Sequence, residues 1–256
     1  MKPNPMDAQG PSGVLLIDKA PDMTSHDVVA IARRALNTKK IGHCGTLDPM
    51  ATGLLMLVVG RATKIQDLLM SEDKEYVGTL TLGAVTSTQD RQGEVIETKP
   101  VPAFSEAEIH AAFDAFTGEF EQMPPMVSAI KKDGVPLYKL ARKGQEVERA
   151  LRARKGQEVE RALRPVRVTG WQVSRIELPE VDFTVNCSKG FYVRTYAHDI
   201  GAKLGCGAHL SALRRTRSGK FTLDRAVPVA DLKTAPREDL LKAMVTLAEI
   251  SLMRGA

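Results

Sequence analysis

Residues 181–204 read VDFTVNCSKGFYVRTYAHDIGAKL, and in this stretch one periodicity gives way to another. Val181, Phe183, Val185 and Cys187 alternate with more polar neighbours, the period of two expected of a strand with one buried face. Past Ser188–Gly190, the residues Val193, Ala197, Ile200 and Leu204 fall on one side of a helix. Alternation also marks the run from Val166 up to Cys187, so strands follow one another there with no helix between them. Such strands pair antiparallel, whereas a doubly wound parallel sheet needs a helix at each crossover. The expected class is α+β, with a mixed, largely antiparallel sheet flanked by helices and loops.

Toward the N-terminus, Gly13–Asp18 reads as a short buried strand, followed by a turn through Pro21 and a helix from about Ser25. Val28, Val29, Ala32, Ala35 and Leu36 keep helical spacing, with Thr24 or Ser25 as N-cap and Asp27 in the first turn. TKKIGHCGTLDPMATG (38–53) reads as a loop, leading into a strand at Leu54–Val59 and a short helix ending near Met70. A strand recurs at Tyr76–Leu82, and Ser105 with Glu108 makes a capping box for a helix carrying Ile109, Phe113 and Phe116, with Gly118 as its stop. Pro236–Met253 reads as one amphipathic helix. Residues 141–152 and 153–164 are identical, ARKGQEVERALR, too short and too perfect for the degenerate repeats of a solenoid.

Composition narrows the classes. A chain of 256 residues with 43% hydrophobic and 26% charged residues is neither disordered, collagen-like nor a coiled coil. The longest apolar run, Leu54–Val59, is far below the ~20 residues that cross a bilayer. The opening MKPNPMDAQGPSG lacks the apolar core of a signal peptide and reads as a disordered leader over residues 1–12 of a cytoplasmic protein. Three cysteines, an odd number without C-x-x-C spacing, fit a reducing compartment, and the five histidines match no metal-ligand spacing. No metal and no cofactor are expected.

The net charge of +5 conceals a strong segregation. Residues 131–168 hold twelve basic residues against five acidic, and residues 187–220 seven against one. These two runs carry a surplus of thirteen positive charges, leaving −8 on the remainder, the footprint of a polyanion-binding face. Within the 38–53 loop, Asp48 precedes a proline, lies among Gly42, Gly45 and Gly53, and is flanked in sequence by Lys39, Lys40, His43, Arg61 and Lys64. A carboxylate in such company is held ionised beside cations able to bind phosphate. His43 has two readings on its own, a base or a structural hydrogen-bonding group.

IGHCGTLDPMATGLL (41–55) and CSKGFYVRTYAHDIG (187–201) together resemble the tRNA pseudouridine synthases of the TruB type. The likeness extends to GVLLIDKAPDMTSHDVV (13–29), KEYVGTLTLGAVTSTQD (74–90), QMPPMVSAIKKDGVPLYKLARKG (122–144) and GCGAHLSALRRTRSGKF (205–221). It implies the pseudouridine synthase fold and isomerisation of a T-loop uridine of tRNA, position 55 in ordinary tRNA numbering. By the same resemblance, Asp48 is the nucleophile and Arg194 its ion-pair partner. Attack at C1′ and removal of a C2′ proton are both open to Asp48. Tyr76 takes the stacking position for a flipped base, Tyr192 and Leu213 line the uridine pocket, His43 contacts loop RNA, and Lys19 is a motif lysine near the site.

The segment from 122 to 164 resembles an RNA-gripping thumb loop that contains the tandem duplicate. The chain departs from the family pattern at Cys44, Ala20, Met56 and Phe191, none of them a matched catalytic position. One catalytic domain is expected over 13–232, with a terminal helix over 233–256 and no full PUA domain. No protein partner is indicated, and a monomer is expected. Outside the family, Leu213 reads as a helix-face leucine. A second reading, a non-catalytic RNA-binding helper of tRNA folding, draws on the same basic segments. A guide-RNA-dependent synthase ranks below both.

Overall fold

A computed structural model describes residues 10–125, 131–132, 135–136 and 162–255. In chain order its elements are β1 (Gly13–Lys19), α1 (Ser25–Ala35), β2 (Ile41–Cys44), β3 (Thr52–Val59), α2 (Gln66–Met70), β4 (Lys74–Leu82), β5 (Ala84–Thr86), β6 (Val95–Thr98) and α3 (Glu106–Asp114). They continue as β7 (Gly118–Gln122), β8 (Lys131–Lys132), β9 (Val135–Pro136), β10 (Arg164–Glu177), β11 (Glu180–Cys187), α4 (Val193–Leu204), β12 (Ala208–Ser218), β13 (Phe221–Thr222), β14 (Val227–Pro228), α5 (Val229–Thr234), α6 (Arg237–Ala243) and α7 (Leu247–Arg254). The chain divides into two compact units, the first comprising residues 1–78, 184–189 and 212–256, the second 79–183 and 190–211. The proposed leader lies outside the described residues up to position 9, as do most of the thumb segment and all of the duplicate before residue 162.

In the first unit β3 is the centre. It pairs antiparallel with β1 and β2 and parallel with β12, where Arg214 and Arg215 stand opposite Thr52 and Gly53. β14 extends this arrangement parallel to β1. Seven of the eight β3 residues are buried, which is why its sequence runs apolar instead of alternating. Val14, Leu16, Met56, Val58, Leu69 and Ile250 form the core with the buried free cysteine Cys44. In the second unit β10 pairs antiparallel with β7, and Phe113, Phe183 and Tyr196 meet as an aromatic cluster with ring centroids 5.5–6.0 Å apart.

Local signals are reliable where the chemistry is local. Thr24 and Ser105 both close capping boxes, with Asp27 and Glu108. Four expectations need correction. The 38–53 loop contains β2, whose four residues are too few to display a period yet pair fully with β3. Leu213 lies on β12 and not on a helix, with burial running in steps of two at Ala208 and Leu210 and again at Leu213 and Arg215. The helix after Ser105 ends at Asp114 and leaves Phe116 beyond it, while Gly118, with φ +81°, opens β7. Pro236–Met253 forms two helices. The break falls where Val245 exchanges backbone hydrogen bonds with Val14 at 2.8 and 2.9 Å, after which Thr246 and Glu249 form a new capping box.

Candidate active site

Asp48 sits in the turn between β2 and β3, and the surrounding chain makes that turn rigid. The fully buried Lys19 donates to the carbonyls of Ala20, Met23 and Pro49 at 2.9, 2.8 and 3.1 Å. Ser25, the first residue of α1, accepts from the Leu47 amide and donates back to its carbonyl. The Asp22 amide reaches Pro49 O at 2.9 Å, and the Ala51 amide closes on Asp48 O at 3.0 Å. Burial draws the Lys19 ammonium down from 10.5 to about 8, with the Asp48 carboxylate acting against that fall.

Beneath the loop lies Arg215. Its Nε donates to Leu54 O at 2.7 Å and its Nη2 to Gly45 O at 3.0 Å, and its charge acts on the Tyr76 phenol. Tyr76 is buried on β4; its phenol is pushed above the ordinary value by burial, with Arg215 pulling the other way. His43 stands on β2 with its ring 5.2 Å from that of His26, edge to face. Burial, then the charges of His26 and Arg215, bring His43 down from 6.5 to about 4, so it is neutral at physiological pH. Leu213, also buried, precedes the arginine pair on β12. Arg214 makes a two-pronged ion pair with Asp18, Nη1–Oδ1 2.9 Å and Nη2–Oδ2 2.7 Å.

The first unit thus gathers Asp48, Lys19, Tyr76, His43 and Leu213 about one strand junction, while Arg194 and Tyr192 belong to the second unit. There Tyr192 precedes α4, and its amide and carbonyl are both held by the Gln122 side chain, at 2.8 and 3.1 Å. Arg194 is buried within α4, with its Nε 3.7 Å from the Asp90 carboxylate and its Nη1 donating to Thr88 O at 2.9 Å. Asp90 in turn accepts from the Thr88 hydroxyl and the Gln92 amide. Sequence reasoning passes over Arg215, Asp90 and Gln122. Nothing local in the sequence marks any of the three.

Two family models match the chain. One, described as TruB family pseudouridylate synthase (N terminal domain), covers residues 33–153 and 151–193; the other, tRNA pseudouridylate synthase B C-terminal domain, covers 194–252. Fold and site therefore define an enzyme of the pseudouridine synthase class, an isomerase. Among its relatives, a tRNA pseudouridine synthase B of Opitutus terrae is 54% identical over 91% of this chain and 92% of that protein, and one of Syntrophotalea carbinolica is 45% identical over 93% and 74%. The chain belongs to the TruB family of pseudouridylate synthases. Its fold is similar to a chain of a Cbf5-Nop10-Gar1 complex (TM-score 0.70, 30% identity, 98% of this chain) and to one of an H/ACA RNP bound to a substrate RNA containing 2′-deoxyuridine (TM-score 0.66, 29%, 95%). This chain spans less than two thirds of those two chains, 64% and 61%. No described helix is long and apolar enough to cross a membrane.

Proposed function

We propose that the protein converts uridine to pseudouridine in the T-loop of tRNA, at position 55, as a cytoplasmic monomer whose catalytic domain spans residues 13–232. The observation that carries this reading is the Asp48 turn, pinned by Lys19 and Ser25 and electrostatically coupled to the buried Tyr76. Names of relatives at 45–54% identity point to tRNA as the substrate. The target base leaves the loop stack and stacks on the Tyr76 ring, Tyr192 and Leu213 are further uridine-binding residues, and His43 and Lys19 serve RNA and loop. Asp48, with Arg194 as its cationic partner, acts at the ribose to break the C1′–N1 bond. The uracil turns while bound, carbon C5 bonds to C1′, the C5 proton departs to solvent and N1 takes up a proton in its place. Atoms balance without an oxidant, so the chemistry calls on no redox cofactor.

Tritium release from C5-labelled uridine in a tRNA transcript tests this directly. Wild type is expected to release tritium, and Asp48→Asn to bind the transcript and release none. Binding without release by wild type would leave the folding-helper reading in its place, and turnover by Asp48→Asn would dismiss that residue as the nucleophile.

A further inference from the structure

We propose that Arg215 is a positioning residue of the reaction: its guanidinium joins Tyr76 and both ends of the Asp48 loop into one rigid piece, fixing the stacking ring relative to the carboxylate. The inference rests on the roles given above to Asp48 and Tyr76. Arg215 is 1% exposed and heads the largest fully buried side chains, a place normally taken by aromatic or aliphatic residues. Stripping water from a guanidinium is costly, and a residue kept only to fill space would be replaced by an apolar one of similar volume at no loss. What this guanidinium touches is specific. Gly45 O lies just before the loop's turn and Leu54 O just after it, and the buried Tyr76 phenol feels the charge of the same guanidinium.

Neighbouring backbone is shaped to admit this group. Gly45 has φ +77°, and a Cβ there would stand 3.0 Å from Arg215 Nη1. Gly53 has φ +92°, and a Cβ there would collide with the carbonyl oxygen of Arg215. A side chain at either position would push the arginine or its strand off the loop. The planar fork also matters, since Nε and Nη2 donate from two points of one rigid plane, a spacing that the single nitrogen of an ammonium does not reproduce. Arg214, one residue earlier, spends its fork on the half-exposed Asp18 and is the natural control.

The test uses the full chain with Arg215→Lys, Tyr76→Phe and the double variant, scored by single-turnover tritium release, tRNA affinity and thermal midpoint. Arg215→Lys is expected to bind tRNA within about threefold of wild type while its rate falls about 100-fold, the scale of a misplacement near 1 Å. Tyr76→Phe is expected to lose about tenfold in rate, and the double variant to be no slower than Arg215→Lys, because the two act through one contact. An Arg215→Lys rate equal to wild type, a loss confined to affinity, or multiplicative losses in the double variant would overturn the proposal. If Arg215→Lys fails to fold, an undiminished rate in Tyr76→Phe overturns it and a tenfold loss at unchanged affinity supports it. Turnover by Asp48→Asn in the same assay would place the fault in the underlying reading instead.

Discussion

Two arginines withdrawn from solvent are seated in opposite manners. Arg194 faces the carboxylate of Asp90 and one main-chain carbonyl, whereas Arg215 faces two main-chain carbonyls and a phenol. A carboxylate balances charge over a range of angles; carbonyls and a phenol offer only partial charges and reward a fixed direction. The first seat stabilises an ion, and the second holds a shape. Charge and direction are separate requirements of any catalytic group, and the two seats show one means of meeting each.

The contrast can be broken from either side. Asp90→Asn removes the charge opposite Arg194 while keeping the volume, and the expected loss of about 3 kcal/mol in urea unfolding is at the low end for a broken buried pair, because Arg194 keeps further partners. A loss below ~1 kcal/mol would mean that charge balance is not what seats Arg194. Next in size is the titration of His43, which burial and the field of Arg215 displace. Folded His43 takes up its proton at about 4, against an ordinary 6.5, so the unfolded chain binds more protons between those limits. Stability present above pH 6.5 should decline as pH falls through this window, by up to about 3 kcal/mol, and His43→Gln should flatten the decline. Gly45→Ala, which forces a side chain onto a positive φ against the guanidinium, should cost about 1–3 kcal/mol and slow turnover. Smallest of all, Arg214→Gln should shift stability by less than ~1 kcal/mol, since its pair with Asp18 is half-exposed.

What can be read from the sequence follows the range of the interactions. Capping boxes at Thr24 and Ser105 span three residues, and the alternation of Val181 to Cys187 reflects one strand's own burial, so both are legible. The box at Thr246 is equally local but is submerged in a continuous apolar pattern, because the break before it depends on Val14, at the other end of the chain. Arg215 meets Leu54 and Gly45 across 161 and 170 residues of sequence, and no neighbouring residue betrays that it is buried. Asp48, Tyr76 and Arg194 emerge through family motifs; from the residues alone Asp48 is a turn former and Tyr76 the start of a strand.

The buried free cysteines have a practical consequence. Burial pushes the Cys44 and Cys187 thiols up to about 12 and raises that of Cys206 as well. At pH 8 a thiol titrating near 12 is ionised in on the order of one molecule in ten thousand, so a disulfide reagent meets a reactive sulfur only when the surrounding structure opens. Cys44 and Cys187 belong to the first unit and Cys206 to the second. The wild-type chain thus carries its own pair of clocks, and the rate at which each sulfur is labelled, read by mass spectrometry of the fragments, times the opening of each unit separately.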